Sequence, residues 1–189
     1  MPRLTCSQCQ RPDDLCFCDS IIPVHNTINI KIIQHPNEAN HPFNTGRIAT
    51  LALSKCEMLT TETLSEQQLS TVTSRETILL YPSLSWLPES PPLPKTISNL
   101  VVLDASWKKS KKMLHLNPQL QTLPRLSLNE VRASEYRIRL TKQPDGLSTI
   151  EAIAYCLEQL ESQPMTDLLT PFHAMIESQL AIAEAHTKD

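Results

Sequence analysis

The sequence predicts an α/β fold with a mostly parallel sheet and flanking helices, and three observations carry that prediction. Residues 77–81 (TILLY) and 100–103 (LVVL) are apolar runs too short for helices and suited to strands covered on both faces. Stretches around them place apolar residues at helical spacing, as in 148–161 and 172–183. The second run ends in Asp104, with Trp107 close behind, and ligands of parallel sheets sit at the carboxyl ends of strands.

In chain order, residues 1–20 form a cysteine-bearing arm. Residues 26–34 follow, where Ile28, Ile30 and Ile32 alternate with polar neighbours before Ile33, and this is a strand entering a core. A long polar loop with two His-Pro pairs leads to a helix that Asn44 or Thr45 caps. Residues 64–75 read as a mobile polar segment, 77–81 as a buried strand stopped by Pro82, and 83–95 as a proline-rich connection. After the 100–104 strand comes a lysine-rich helix, then 123–128 as a strand or extended loop. Residues 136–140 alternate, with Tyr136, Ile138 and Leu140 on one face and Arg137 and Arg139 on the other. Ser148 and Glu151 have capping-box spacing and start a helix, and Thr170-Pro171 opens the last one. The organisation expected is an arm over 1–22 and a catalytic domain over 23–189.

At 189 residues the chain can bury one substantial core, and 40% apolar with 20% charged residues is ordinary globular composition. No apolar run approaches the ~20 residues of a membrane span, and the first residues lack a secretion pattern, so a cytoplasmic protein away from membranes is expected. A formal charge of −3 argues against coating nucleic acid through the bulk field, yet the basic residues are segregated between Lys108 and Arg139. Two glycines exclude a P-loop and a Gly-rich dinucleotide fingerprint, so any nucleotide-like ligand must be held by other loops, for which fifteen prolines offer rigidity.

Lys108, Lys111, Lys112 and His115 fall at i, i+3, i+4 and i+7, on one helical face. That face is either merely solvated or a phosphate-binding surface. Asp104 either caps the following turn or is a reactive carboxylate, and Trp107 is core or pocket wall. His35, Glu38 and His41 suggest a metal, but prolines follow both histidines, and His35 reads better as a hydrogen-bonding residue at a strand end. Cys6, Cys9, Cys16 and Cys18 give C-x2-C-x6-C-x-C, a tetrahedral zinc signature in a segment with too little apolar content to order itself. Four protein ligands make such a zinc structural, and an iron–sulfur cluster is the alternative. Cys56 and Cys156 sit in apolar contexts and read as core.

The cysteine arm CSQCQRPDDLCFC, the loop QHPNEANHPFNTGRIA, the motif LDASWKKSKKM, and YRIRL with LSTIEA together resemble the DTW-domain family over nearly the whole chain. Ser106 stands where the family's Asp-Thr-Trp-type motif carries threonine, keeping the hydroxyl and dropping a methyl. The resemblance implies a SPOUT-like fold with a carboxyl-terminal trefoil knot that grips S-adenosylmethionine through backbone-rich loops. It also implies a tRNA-uridine aminocarboxypropyltransferase activity, in which the 3-amino-3-carboxypropyl group moves to N3 of a uridine and 5′-methylthioadenosine is left. Asp104 and Trp107 would be catalytic, Asp104 as base or as anchor of the cofactor. Pro82, Leu103, Leu123, Pro124, Ser148 and Thr149 would hold S-adenosylmethionine. Lys108, Lys109, Lys111, Lys112, Arg47, Arg125, Arg137 and Arg139 would track tRNA, with no obligatory protein partner. The competing expectations are an RNA methyltransferase on the same cofactor and a non-catalytic zinc-stabilised RNA-binding module.

Overall fold

A computed structural model of the protein describes residues 4–128, 134–136 and 146–186. Five strands, β1 (Asn29–Gln34), β2 (Cys56–Thr60), β3 (Thr77–Leu80), β4 (Asn99–Asp104) and β5 (Arg125–Leu126), form one sheet in the order β2-β1-β4-β3-β5. Every neighbouring pair is parallel. The expected α/β class is therefore what the chain adopts, and β4 lies at the centre with its carboxyl end level with that of β1, Gln34 opposite Asp104.

The helices are α1 (Pro36–Ala39), α2 (Gly46–Ala52), α3 (Glu66–Val72), α4 (Trp107–Leu116), α5 (Pro118–Gln121), α6 (Thr149–Glu161) and α7 (Thr166–His186). They cover both faces of the sheet, because side chains alternate along a strand. Leu100 and Val102 of β4 enter a core with Ile48 of α2, Ile150 and Ile153 of α6, and Phe172 and Met175 of α7. Val101 enters the opposite core with Val72 of α3, Met113 and Leu114 of α4, and Leu120 of α5. Cys9 and Phe17 of the arm are buried in the first of these cores. At the far edge, the Glu161 carboxylate at the end of α6 accepts from the Thr27 and Ile28 amides at 2.8 and 2.9 Å, tying α6 to the entrance of β1.

Three expectations are corrected. Residues 64–75 hold α3, nucleated by a capping box in which the Ser65 hydroxyl accepts from the Gln68 amide and the Gln68 side chain accepts from the Ser65 amide. Leu64 and Val72 bury against the sheet, which is what makes a short polar helix worth forming. Residues 56–60, not read as a strand, are the edge strand β2, whose half-buried pattern weakens its apolar signature. The last helix does not open at Pro171 but runs from Thr166 through it. Proline there removes one hydrogen bond near the helix start, while buried Leu168 and Leu169 before it and Phe172 and Ile176 after it pack on one core.

Residues 137–140 of the strand read over 136–140 lie outside the described residues, as do 129–133 and 141–145, and with them the expected carboxyl-terminal knot. No described helix is long and apolar enough to cross a membrane. Phe172 is fully buried and stacks at 5.3 Å from Tyr136. Phe172→Ala is expected to lower the unfolding free energy by about 3–5 kcal/mol, read by urea denaturation; a loss below about 1 kcal/mol would contradict this packing.

Candidate active site and metal centre

The carboxyl ends of β3, β4 and β5 and the first turns of α4 and α6 enclose a cavity of about 490 Å³. Its walls include Tyr81 and Pro82 after β3, Leu103 and Ala105 at the end of β4, Ser127 and Leu128 after β5, Trp107 of α4, and Ser148 and Thr149 at the start of α6. A parallel sheet generates this opening because the loops after neighbouring strands emerge on one edge. Trp107 stays 45% exposed at the rim, with its ring 5.8 Å from that of Tyr81 in an edge-on arrangement. The Tyr81 hydroxyl, pushed up by burial, pairs with the Ser110 hydroxyl at 3.1 Å and so holds β3 to α4.

Asp104 does not cap α4, whose N-cap is Ser106 with no side-chain bond. Its carboxylate is buried and accepts from the Thr149 hydroxyl at 2.6 Å and from the Gln34 amide at 2.7 Å. Gln34 in turn accepts from Thr60 at 3.3 Å, so a polar relay crosses β2, β1, β4 and α6. Gly46 closes the arrangement: a Cβ built there would lie 2.8 Å from Asp104 Oδ2.

Ser148 is the N-cap of α6 in the expected capping box. Glu151, 1% exposed, accepts from the Ser148 amide and hydroxyl at 2.7 and 2.6 Å and from Ser134 and the Glu135 amide. The hydroxyls of Ser148 and Thr149 are thus engaged inside the protein. The Thr149 and Ile150 amides at the helix start carry no hydrogen bond among the described residues.

Of the residues expected to bind a cofactor, Pro82, Leu103, Ser148 and Thr149 line the cavity. Leu123 and Pro124 do not: Leu123 is buried in the second core, and the Pro124 carbonyl accepts from the Leu79 amide to seat β5. The basic residues divide in the same way. Lys109 pairs with Glu38 at 2.8 Å, Lys112 with Glu62 at 2.9 Å, and Lys111 lies 5.0 Å from the centre of the Trp86 ring. Lys108 is exposed and has no ion pair among the described residues. Arg125 is buried and donates to the carbonyls of Gln121 and Pro88, while Arg47 donates to those of Cys9 and Ala39 at 3.0 and 3.2 Å. Arg137 and Arg139 lie outside the described residues.

His35 caps α1, its Nδ1 accepting from the Asn37 amide at 3.1 Å, which leaves Nε2 as the protonated nitrogen toward Glu62 at 3.1 Å. The residues sequence reasoning missed are Gln34, Tyr81 and Gly46. Gln34 carried a readable signal, a polar residue ending an apolar strand in a protein whose other strand ends in Asp104.

In the arm, the sulfurs of Cys6, Cys9, Cys16 and Cys18 lie within 4.8 Å of one another, with Cys6–Cys18 and Cys9–Cys16 both at 3.7 Å. A tetrahedron of thiolates about 2.3 Å from a central ion has edges of about 3.8 Å. The cluster is therefore shaped for one metal ion. Amides of Cys9 and Gln8 donate to Cys6 and lower its thiol to about 7, while burial first and the neighbouring thiols next push Cys18 up. Gln10 turns through φ 58° to close the first Cys pair. Cys56 and Cys156 are core thiols raised by burial to about 12.

The DTW-domain family model matches residues 3–180. The chain belongs to the DTW-domain family. A Macaca fascicularis protein named tRNA-uridine aminocarboxypropyltransferase 2 is 31% identical over 194 residues, spanning 94% of this chain and 64% of its own length. A Drosophila melanogaster protein of the same name is 30% identical over 94% of this chain and 76% of its own. An Arabidopsis thaliana protein named tRNA-uridine aminocarboxypropyltransferase A is 29% identical over 84% and 73%. No solved structure matches.

Gly46→Ala forces the Asp104 carboxylate away from a position fixed by Gln34 and Thr149. A destabilisation of about 1–3 kcal/mol is expected in urea unfolding; an unchanged midpoint would show that the carboxylate moves freely.

Proposed function

We propose that the protein is a tRNA-uridine aminocarboxypropyltransferase, moving the 3-amino-3-carboxypropyl group of S-adenosylmethionine to N3 of a tRNA uridine with release of 5′-methylthioadenosine. The observation that carries the reading is the cavity at the strand ends, with α6 pinned at its rim through Thr149 to Asp104. Membership of the DTW-domain family and the names of its relatives support the reaction class.

The residues present fit S-adenosylmethionine. A volume of about 490 Å³ is within the ~300–1,000 Å³ of small-molecule sites. Leu80, Leu103, Leu126 and Leu128 give an apolar slot for a flat base, with Pro82 at its edge. The unpaired amides that begin α6 beside Ser148 and Thr149 suit a carboxylate, since a helix start concentrates donors and positive potential. When bound, the donor supplies a carbon activated by the adjoining sulfonium.

Uracil N3 is a weak acid whose proton passes to solvent water; N3 then bonds to the carbon beside the sulfonium as that carbon–sulfur bond breaks and 5′-methylthioadenosine leaves. Trp107 at the rim offers a flat face on which the uracil stacks. Asp104 acts as a positioning residue: two short hydrogen bonds engage both of its oxygens, and Thr149 transmits their hold to the helix start. Zinc in the Cys6, Cys9, Cys16 and Cys18 cluster is structural, because four thiolates leave no open coordination position. Exposed Lys108, with Lys111, provides charge for the tRNA backbone.

Incubation with S-adenosylmethionine and unmodified tRNA, followed by nucleoside mass analysis, is expected to yield an aminocarboxypropyl-uridine and methylthioadenosine. S-adenosylhomocysteine as the product would make the protein a methyltransferase, and no turnover with bound tRNA would make it a binding module. Asp104→Asn places an amide where Gln34 already donates. A loss of S-adenosylmethionine affinity of about tenfold or more is expected, with the pH–rate profile of residual transfer unshifted. Retained affinity with a shifted profile would instead identify Asp104 as the base.

A further inference from the structure

We propose that Arg11 is the centre of a phosphate-binding pocket at the junction of the cysteine arm and the loop before α2, and that it holds one phosphodiester of the tRNA backbone. The owner of that phosphate rests on the functional reading above; the pocket itself does not.

Arg11 is only 4% exposed, yet its Nε and Nη1 are buried without a hydrogen-bond partner among the described residues. A guanidinium stays charged in a protein and presents its donors as a rigid fork, so a buried fork with empty donors calls for an acceptor. Arg11 lines a cavity of about 120 Å³ together with Arg47, His41, Asn40 and Asn44, and no carboxylate is among the lining residues. That volume, about a quarter of the cavity at the strand ends and below the ~300 Å³ of ordinary small-molecule sites, suits a small oxyanion and not a nucleoside.

The two arginines are pre-set. Arg11 lies 5.7 Å over the Phe43 ring, and Arg47, which lines the same cavity, is fixed by the carbonyls of Cys9 and Ala39. The position suits a strand of tRNA directed at the active site. Arg47 follows Gly46, the first residue of α2, which abuts the Asp104 carboxylate between the cavity-lining Leu103 and Ala105. A rival use of Arg11 exists, since four thiolates around a divalent ion carry excess negative charge two residues away at Cys9.

The test uses zinc-loaded full-length protein, Arg11→Gln and Arg11→Lys. Three quantities are read: the thermal midpoint in sodium phosphate against sodium chloride at equal ionic strength, zinc content, and the salt dependence of affinity for unmodified tRNA. Phosphate is expected to raise the wild-type midpoint and leave Arg11→Gln unmoved. Arg11→Gln is expected to weaken tRNA binding about eight-fold at 0.1 M salt and reduce the slope of log K against log salt by about one, at unchanged zinc. Loss of zinc with an unchanged slope would assign Arg11 to the thiolates and overturn the proposal. A phosphate shift with an unchanged tRNA slope would overturn the tRNA occupant in favour of a free anion. Where Arg11→Gln does not fold, absence of a phosphate shift in the wild type, or a full loss of slope in Arg11→Lys, overturns it. A wild-type protein that binds phosphate but no tRNA would sink the functional reading and leave the pocket standing.

Discussion

The carboxylate of Asp104 is the constraint around which the strand ends, the helix start and the neighbouring cavity wall are arranged. It is buried at the carboxyl end of the central strand, where an unpaired charge would be costly, and the structure answers with donors from two other elements. Gln34 reaches it from the neighbouring strand at the same register, and Thr149 from the first residue of α6. Gly46 has to be small because any Cβ would press on the same oxygen. One charged group thereby fixes β1, β4, α2 and α6 against one another, and the free amides of α6 are held at the cavity rim.

The basic helix α4 is less of an open positive face than its composition suggests. Lys109 and Lys112 reach across to Glu38 and Glu62, and Glu62, held low first by Lys112 and then by His35, joins the loop after β2 to the end of β1. These part-buried pairs link α4 to α1 and to the loop after β2, on the side of the sheet end where β1 and β4 stop. On α4, Lys108 has no ion pair among the described residues, and Lys111 lies over the Trp86 ring. A net charge of −3 likewise gives the molecule as a whole no large positive field.

Strands that are buried on both faces were legible, because 100–104 and 77–81 have no polar interruption and appear as β4 and β3. The capping box at Ser148 and the cysteine cluster were legible for the same reason, since each depends on residue types at fixed short spacing. What was not legible depends on distant partners. β2 is half-buried at the sheet edge and lacks an apolar run, and Pro171 marks a helix start locally while packing carries α7 through it. Arg125 and Arg47 read as surface cations, but carbonyls of Pro88, Gln121, Cys9 and Ala39, none predictable from local pattern, turn both inward. Ser65-x-x-Gln68 was a readable cap that the polar composition of the segment masked.

The scarcity of glycine explains how the cavity is built. A nucleotide cradle made of glycines brings backbone close to a ligand and costs conformational entropy on folding. In this chain the wall after β3 is instead made by Tyr81 and Pro82, and the proline-rich connection that follows is stapled to β5. The Arg125 guanidinium donates to the Pro88 carbonyl, and the Ser90 hydroxyl accepts from the Arg125 amide at 2.8 Å. Pro82, Pro88, Pro91, Pro92 and Pro94 restrict φ along the same connection. A wall set in place before a ligand arrives loses little further freedom on binding. Arg125 therefore ties to β5 the connection that begins at the cavity-lining Tyr81 and Pro82.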